Sequence, residues 1–400
     1  MKRFEVIIIF FLFCVACKKV NNDCNLLKYP DAPEKEWFTS YSGSEEESHG
    51  HFILDCSDGG FIQVGETGIV GTSSKILVIK IQSDGNLVWK REIQTGNHNL
   101  GNAAIEVSDG YIICGSRNKN STLIKLAKNT GEILFESIFD NGGSDAIEHV
   151  AVSPNGYIAI GYKHAADDLN TFYTEGEGCI TFLTENGEKI NSITTTLSHP
   201  YRIKEFNGNY LISGLTDGAS DYGLININEN GEVIWSKSFG GNNSDHCFGM
   251  DVSANGKIFL TGHTLSGTEN WDTYTMMINE NGVLDWESKI GNPRGFDPKY
   301  IHDEAWGVVS TNDGGCIVVA GTGDEYKRYK RRCGSDKDNS NTWHVYLLKY
   351  DQVGNLEWEN TYGGEPCQDW AGEDICINSA GQAVVAVDNG QFGFLKITPY

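Results

Sequence analysis

Side chains that could transfer a proton next to an anionic group occur at similar positions in two separate parts of the chain. They are His149, His164, Tyr173 and Arg202 in the first part, and His246, His263, Tyr274 and Arg294 in the second. Imidazole and phenol groups can remove or deliver a proton, and a guanidinium pairs with carboxylate or sulfate. The combination suits β-elimination, because a cation beside a carboxylate acidifies the neighbouring carbon-bound proton. The alternative is that two related repeats carry ordinary polar residues at equivalent positions.

A basic segment stands out in an otherwise acidic chain. The formal net charge is −23 at pH 7, which argues against a nucleic-acid partner. The loop 322–342 nevertheless contains Lys327, Arg328, Arg331 and Arg332. We predict that these residues, together with Arg117, bind an anionic poly- or oligosaccharide. The alternative is a solvated surface loop without a ligand.

Four residues in the last third of the chain could hold a structural zinc ion. They are His302, Cys333, His344 and Cys367. Cysteine and histidine are the usual ligands of such sites, although this spacing matches no diagnostic zinc motif. A disulfide among the cysteines of this region is an alternative. No other cofactor is expected to be required.

Two interleaved repeats indicate which elements position these side chains. Seven tight turns, at Gly59, Gly110, Gly156, Gly208, Gly256, Gly314 and Gly381, each precede a short apolar strand, and most of these strands end at or near a glycine. A second turn, at Gly85, Gly131, Gly187, Gly231, Gly282 and Gly354, usually precedes an aromatic residue. Such turns between apolar runs are typical of β-hairpins, so each unit is predicted to form four antiparallel strands, A to D.

The count of turns predicts how the repeats assemble. There are seven A–B turns but six C–D turns, and residues 36–43 resemble a D strand without its turn. We therefore predict an all-β, seven-bladed β-propeller over residues 36–400, closed by an N-terminal strand. A β-sandwich or two smaller β domains are the alternatives. The A–B and C–D turns are short and share one face, so the longer B–C and D–A connections, which hold most of the histidines, should form the functional face.

The N-terminus resembles a secretion signal. Lys2 and Arg3 precede a short apolar run that ends at Ala16 and Cys17, which predicts a signal peptide over 1–17 and a polar tether over 18–35. A small residue before the cysteine resembles a bacterial lipobox, with Cys17 carrying the lipid. We expect a monomer, lipid-anchored in the envelope of a Gram-negative bacterium, on the periplasmic or cell-surface side of the outer membrane. Plain secretion is the alternative.

Three further motifs go beyond the generic repeat. They are Tyr300–Gly307, Gly321–Tyr326 and Asp369–Asp374. With the repeats, they resemble the propeller-type ulvan lyases and related eliminating enzymes of marine Bacteroidetes. The resemblance implies elimination on uronic-acid residues of a sulfated algal polysaccharide, with two histidines on one blade and a tyrosine and an arginine from the next.

Carried over to this chain, the resemblance implies His149 and His164 as the histidine pair and Tyr222 as the tyrosine. Lys237 or Ser238 stands near where the arginine would be expected, which favours a variant that eliminates water from an oligosaccharide end over ordinary chain cleavage. The function is thus predicted to be that of a carbon–oxygen lyase, either a chain-cleaving lyase or an oligosaccharide dehydratase. A non-catalytic glycan-binding or scaffold propeller is the alternative, because fold does not determine function.

Overall fold

Strand and turn residues dominate the structure, a computed structural model that describes residues 32–45, 47–165, 176–216, 218, 220–324, 342–364 and 368–400. The strands are β1 (Lys35–Tyr41), β2 (Ser48–Asp55), β3 (Phe61–Thr67), β4 (Lys75–Ile81), β5 (Leu87–Ile93), β6 (Asn99–Val107), β7 (Gly110–Arg117), β8 (Asn120–Ala127), β9 (Ile133–Phe139), β10 (Ser144–Ser153), β11 (Gly156–Ala165), β12 (Glu177–Leu183), β13 (Lys189–Thr194), β14 (Leu197–Phe206), β15 (Asn209–Thr216), β16 (Tyr222–Ile227), β17 (Val233–Phe239), β18 (Asp245–Val252), β19 (Ile258–Thr264), β20 (Asp272–Ile278), β21 (Leu284–Ile290), β22 (Ile301–Ser310), β23 (Cys316–Asp324), β24 (His344–Tyr350), β25 (Leu356–Tyr362), β26 (Ala371–Ile377), β27 (Ala383–Asp388) and β28 (Phe392–Ile397). Within these ranges the one helix is a 3₁₀ turn, Pro298–Tyr300, and no helix is long and apolar enough to cross a bilayer.

The strands form seven four-stranded antiparallel sheets arranged as blades around a central axis. Six blades are consecutive meanders, from β2–β5 to β22–β25, and the first strand of each contacts the first strand of the next. The ring closes where β2 contacts β26. The prediction of an all-β, seven-bladed β-propeller is confirmed, and the sandwich and two-domain alternatives are wrong.

The seventh blade combines the two ends of the chain. Its strand order is β1-β28-β27-β26, so the N-terminal strand β1 is its outermost strand. β1 pairs antiparallel with β28, from Trp37 opposite Lys396 to Tyr41 opposite Phe392. Phe38 of β1 also stacks on the Trp370 ring at a centroid distance of 3.9 Å.

The second sequence repeat corresponds to a contact between neighbouring blades. Each C–D turn glycine has a positive φ and lies against an aromatic ring of the preceding blade, as Gly131 does against Trp89 and Gly354 against Trp286. Trp37 of β1 occupies the same place under Gly85, so blade seven packs on blade one as the other blades pack on one another. Glycine is needed here because a side chain would meet both an unfavourable φ and the ring.

The first sequence repeat corresponds to an irregularity in the inner strands. Every inner strand contains a β-bulge, at which one residue has no partner on the second strand of its blade. In blade one, Gly50 pairs with Gly65 and Phe52 with Val64, which leaves His51 unpaired. A Cβ at Gly65 would overlap the carbonyl oxygen of His49. The repeated glycine lies inside most B strands, two or more residues before their ends, and the close approach of the bulged inner strand requires it.

Candidate functional site

One bulged residue from each blade contributes to a ring of seven around a central pocket. They are His51, Asn102, Glu148, Tyr201, Phe248, Trp306 and Glu373, one from each blade. All seven line a pocket of about 900 Å³, a volume within the range of small-molecule binding sites. A bulge re-aims a side chain that regular pleating would place elsewhere, so the same backbone device supplies one lining residue from every blade.

One wall of the pocket is aromatic and carries an arginine. Tyr201 and Phe248 lie with ring centroids 4.8 Å apart, and Phe248 and Trp306 lie 4.3 Å apart. Trp343 also lines the pocket. Arg202 follows Tyr201 on β14 and also lines the pocket. Flat apolar rings next to a cation can hold a ligand that has both an apolar face and an anionic group.

Contacts with other side chains hold Tyr201 and Arg202 in place, and those of Arg202 reach across the pocket to blades one and seven. Arg202 lies 3.5 Å from the carboxylate of Asp374, and its guanidinium lies 5.0 Å from the centre of the Phe52 ring. The Tyr201 ring stacks on His199 at 4.5 Å, and Nε2 of the fully buried His199 lies 3.2 Å from Glu148 Oε1. These supports fix the directions in which the phenol and the guanidinium point.

The opposite wall combines two histidines with carboxylates. His49 and His51 lie on β2 with ring centroids 4.3 Å apart, and His51 Nε2 lies 2.8 Å from Glu66 Oε2. His49 Nε2 lies 3.5 Å from Glu373 Oε1 and 3.3 Å from Asp388 Oδ2. Burial is the largest influence on His49 and lowers its pKa, but Asp388, Glu373 and Glu66 outweigh it and hold the pKa well above its usual value.

The lining as a whole is acidic. It contains seven carboxylates, those of Glu47, Glu66, Glu148, Glu304, Asp369, Glu373 and Asp388. Among the described residues that line the pocket, Arg202 is the one arginine or lysine, and its charge is shared with Asp374. An anionic ligand therefore meets favourable charge at Arg202 and unfavourable charge on the carboxylate wall.

The structure does not bring His149 and His164 together. His149 is buried on the inner strand β10 with its Nδ1 3.1 Å from Val150 O, and burial lowers its pKa well below the usual value. It pairs with Ile160, four residues before His164, which separates the two by roughly 13 Å along the strand. His164 is exposed, with Nδ1 2.8 Å from Gly142 O, and neither residue lines the central pocket.

His246 and His263 do meet, because they are paired in the register of β18 and β19 with ring centroids 5.4 Å apart. They lie behind the aromatic wall, where His263 is 5.1 Å from the Phe248 ring. Burial, and then the charges of His246 and His302, lower the pKa of His263 well below its usual value. A neutral, buried imidazole at this place packs against the ring that lines the pocket.

The remaining predicted tyrosines and arginines lie within or between blades. Tyr222 is fully buried and donates to the backbone oxygen of Tyr274 at 2.8 Å, and Tyr274 donates to Glu287. Arg294 donates to Thr342 O at 2.6 Å and stacks on Phe296, whereas Arg117 pairs with Glu136 and donates to Gln94 O. Of the predicted catalytic and substrate-binding residues that the structure describes, Arg202 alone lines the pocket.

Some predictions concern residues outside the described part of the chain. These residues are Cys17, Tyr173, Lys327, Arg328, Arg331, Arg332, Cys333 and Cys367. Of the predicted zinc ligands, His302 is described with Nδ1 3.0 Å from Glu304 Oε1. His344 is largely buried, and burial followed by the charge of Arg294 lowers its pKa to about 3. The six described cysteines are buried free thiols.

The ring of bulged residues was not predicted, although the sequence contains a signal for it. In five blades the bulged residue directly follows the residue that pairs with the B-strand glycine: Gly65, Gly115, Gly161, Gly214 or Gly262. Folding each A–B hairpin back from its turn would have placed His51, Glu148 and Tyr201 next to that glycine. The bulge itself is invisible to the alternation of apolar and polar residues.

Comparisons with known proteins extend to the fold only. No protein-family model matches the chain, and no curated protein matches it in sequence. A catalytically inactive form of virginiamycin B lyase from Staphylococcus aureus, solved with quinupristin, matches with a TM-score of 0.57 at 13% identity, over 90% of this chain and 99% of that one. The WD40 β-propeller domain of Doa1 matches at 0.56 and 10%, over 92% and 98%. The Pan2 WD40 domain of Neurospora crassa matches at 0.53 and 11%, over 90% and 98%.

Proposed function

We propose that this propeller is a carbon–oxygen lyase that acts by β-elimination on uronic-acid residues of a sulfated algal saccharide of the ulvan type. The observation that supports the proposal is the central pocket that Tyr201, Arg202 and the rings of Phe248, Trp306 and Trp343 line together. A pocket of about 900 Å³ suits a short oligosaccharide better than a long polymer. The dehydratase form of the reaction, or cleavage near a chain end, is therefore favoured.

The aromatic wall supplies the binding surface in this proposal. Sugar rings carry faces of C–H groups that pack on aromatic rings, while their hydroxyl groups remain available for polar contacts. Phe248 and Trp306, at 4.3 Å, form a continuous platform. Arg202 lines the same pocket, and its guanidinium would pair with the uronate carboxylate and stabilise the negative charge that develops when the adjacent proton leaves.

Tyr201 is the proton-transfer group in this proposal. It is next to Arg202 in the chain, it lines the pocket, and its ring is held by stacking on His199. In the elimination, the C5–H and C4–O bonds of the uronate break and a C4=C5 double bond forms. The proton taken from C5 is returned to the leaving oxygen, so no oxidant or reductant is needed.

The proposal is tested by incubating the protein with ulvan oligosaccharides and following absorbance of the conjugated alkene together with product masses. New unsaturated ends indicate chain cleavage, and loss of one water without shortening indicates dehydration. Tyr201→Phe should lower turnover by about 100-fold or more. His164→Ala and Tyr210→Phe are matched controls, because His164 is exposed away from the pocket and Tyr210 donates to Val152 O between blades. Both should retain activity.

The same experiment decides between the lyase and a glycan-binding propeller. The aromatic wall favours saccharide binding whether or not a reaction follows. If the oligosaccharides bind, as measured by calorimetry, and neither absorbance nor mass changes, the lyase proposal is wrong and the binding function stands. Unchanged turnover in Tyr201→Phe would remove Tyr201 from the mechanism.

A further inference from the structure

His49, His51 and Glu373 bring three metal-ligating groups to one point of the carboxylate wall. One nitrogen of each histidine and one oxygen of Glu373 lie within 4.8 Å of one another. His51 and Glu373 are the bulged residues of neighbouring inner strands, β2 and β26, and the two strands are in contact. The bulges thus aim side chains from two blades at the same place.

Further carboxylates surround these three groups. Glu66 is buried and lies 2.8 Å from His51 Nε2, and Asp388 lies 3.3 Å from His49 Nε2. Carboxylates next to ligating histidines orient the imidazole rings and strengthen binding. Among the described residues of the lining, Arg202 is the one lysine or arginine, and its guanidinium lies 3.5 Å from Asp374, which follows Glu373 on β26. Four acidic side chains, those of Glu66, Glu373, Asp374 and Asp388, therefore share this one fixed positive charge. A bound dication would offset the remaining negative charge of this acidic group.

We propose that His49, His51 and Glu373 bind a divalent first-row transition metal, with Zn²⁺ as the expected occupant. Two imidazoles and one carboxylate suit Zn²⁺ better than Mg²⁺ or Ca²⁺, which prefer all-oxygen ligands. In a tetrahedral zinc site the ligand atoms are about 3.3 Å apart. Small side-chain rotations would bring the three ligand atoms, now within 4.8 Å of one another, to that separation. All three residues line the pocket, so a bound ion would lie beside it. This site differs from the zinc set containing His302 and His344, and it does not depend on the lyase proposal.

The test measures metal binding directly. Protein stripped with a chelator is titrated with Zn²⁺ by calorimetry, and with Co²⁺ by its visible absorption, which reports ligand number and geometry. We expect one equivalent of Zn²⁺ to bind at the pocket, with much weaker binding of Mg²⁺ and Ca²⁺. The double variant His49→Ala/His51→Ala should lose this equivalent, and the nearly isosteric Glu373→Gln should weaken it at least about tenfold.

His302→Ala is the matched control, because it removes a histidine that belongs to the other candidate set and pairs with Glu304. The variant should still bind one equivalent of Zn²⁺ at the pocket, as the wild-type chain does. The proposal is overturned if His49→Ala/His51→Ala and Glu373→Gln remain folded by circular dichroism and bind Zn²⁺ as the wild-type chain does. It is also overturned if His302→Ala alone abolishes zinc binding. Neither outcome bears on whether the pocket performs elimination, which product analysis measures separately.

Discussion

Asp303 is a buried carboxyl group that ties a loop to the start of an inner strand. Its Oδ2 accepts a hydrogen bond from the backbone N–H of Asn292 at 2.6 Å, across the connection between β21 and β22. The pKa of Asp303 is raised to about 7, mainly by burial and to a smaller extent by the charge of Asp272, against the lowering effects of the hydrogen bonds with Thr322 and Asn292. Asp145 and Asp245 make the same kind of bond in two other blades.

This raised pKa predicts a pH dependence of stability. The folded chain keeps the Asp303 proton up to about pH 7, whereas the unfolded chain loses it near pH 4. Between these values the unfolded state binds fewer protons, so the free energy of unfolding falls as the pH rises, by at most about 4 kcal/mol. The Asp303→Asn variant has no carboxyl group to titrate and should not show this loss. The stability of the variant minus that of the wild-type chain should therefore be larger at pH 8 than at pH 5. Urea unfolding at both pH values measures the difference.

Asp145→Asn is the matched control for this prediction. Asp145 occupies the equivalent place in β10, but both of its oxygens accept backbone hydrogen bonds, from Asn141 and His164. In Asp145→Asn the side-chain NH₂ group would face one of these two backbone N–H groups, and two donors cannot form a hydrogen bond. The variant should therefore be less stable than the wild-type chain at both pH values. If Asp303→Asn gains the same stability at pH 5 and pH 8, the raised pKa of Asp303 is not the cause of the pH dependence.

At the scale of the strand, the β-bulge connects the sequence repeat to the pocket. The sequence predicts four strands per blade and their turns correctly, because turn glycines and apolar alternation are local signals. These local signals alone do not reveal which inner-strand residue is left unpaired. That is decided when the A and B strands pair, as at Tyr201 between Pro200 and Arg202. For this reason residue type and spacing predict Arg202 as a site residue but not its neighbour Tyr201, nor His49 and His51.

The glycine of each C–D turn offers a prediction at this scale. Gly354 has φ +87°, and a Cβ there would lie 2.7 Å from Trp286 Cδ2. Gly354→Ala therefore combines backbone strain with a clash between blades five and six. Gly59 has φ +81° but no atom within 4 Å of such a Cβ, so Gly59→Ala isolates the strain, at about 1 kcal/mol. Thermal unfolding should show a clearly larger loss for Gly354→Ala, and equal losses would mean that the aromatic contact adds nothing.

For the whole molecule, ring closure was predictable by counting, and the identity of the site was not. One missing C–D turn and one D-like segment at residues 36–43 are enough to predict the shared blade, because a ring leaves no free sheet edge. The site depends on residues from all seven blades, such as His51, Glu148 and Phe248. These meet across long sequence distances, and no local pattern records that they face one another.

The shared blade makes the stability of the ring depend on β1. Besides its pairing with β28, this N-terminal region contributes Glu36, which lies 3.0 Å from Lys396 Nζ, and Pro33, whose carbonyl accepts from Tyr362 at 2.7 Å. A chain that begins at residue 44 lacks these contacts and exposes the edge of β28. We expect its unfolding temperature to fall by at least several degrees and its tendency to aggregate to rise.

A chain that begins at residue 32 is the matched control, because it keeps β1 and removes only residues outside the described part. It should unfold at the temperature of the full chain. A peptide of residues 32–43 added to the shorter protein should restore stability in a concentration-dependent way, since it binds the folded ring and not the unfolded chain. Equal unfolding temperatures for chains that begin at residues 32 and 44 would show that the ring holds together through the other blade contacts, without its N-terminal strand.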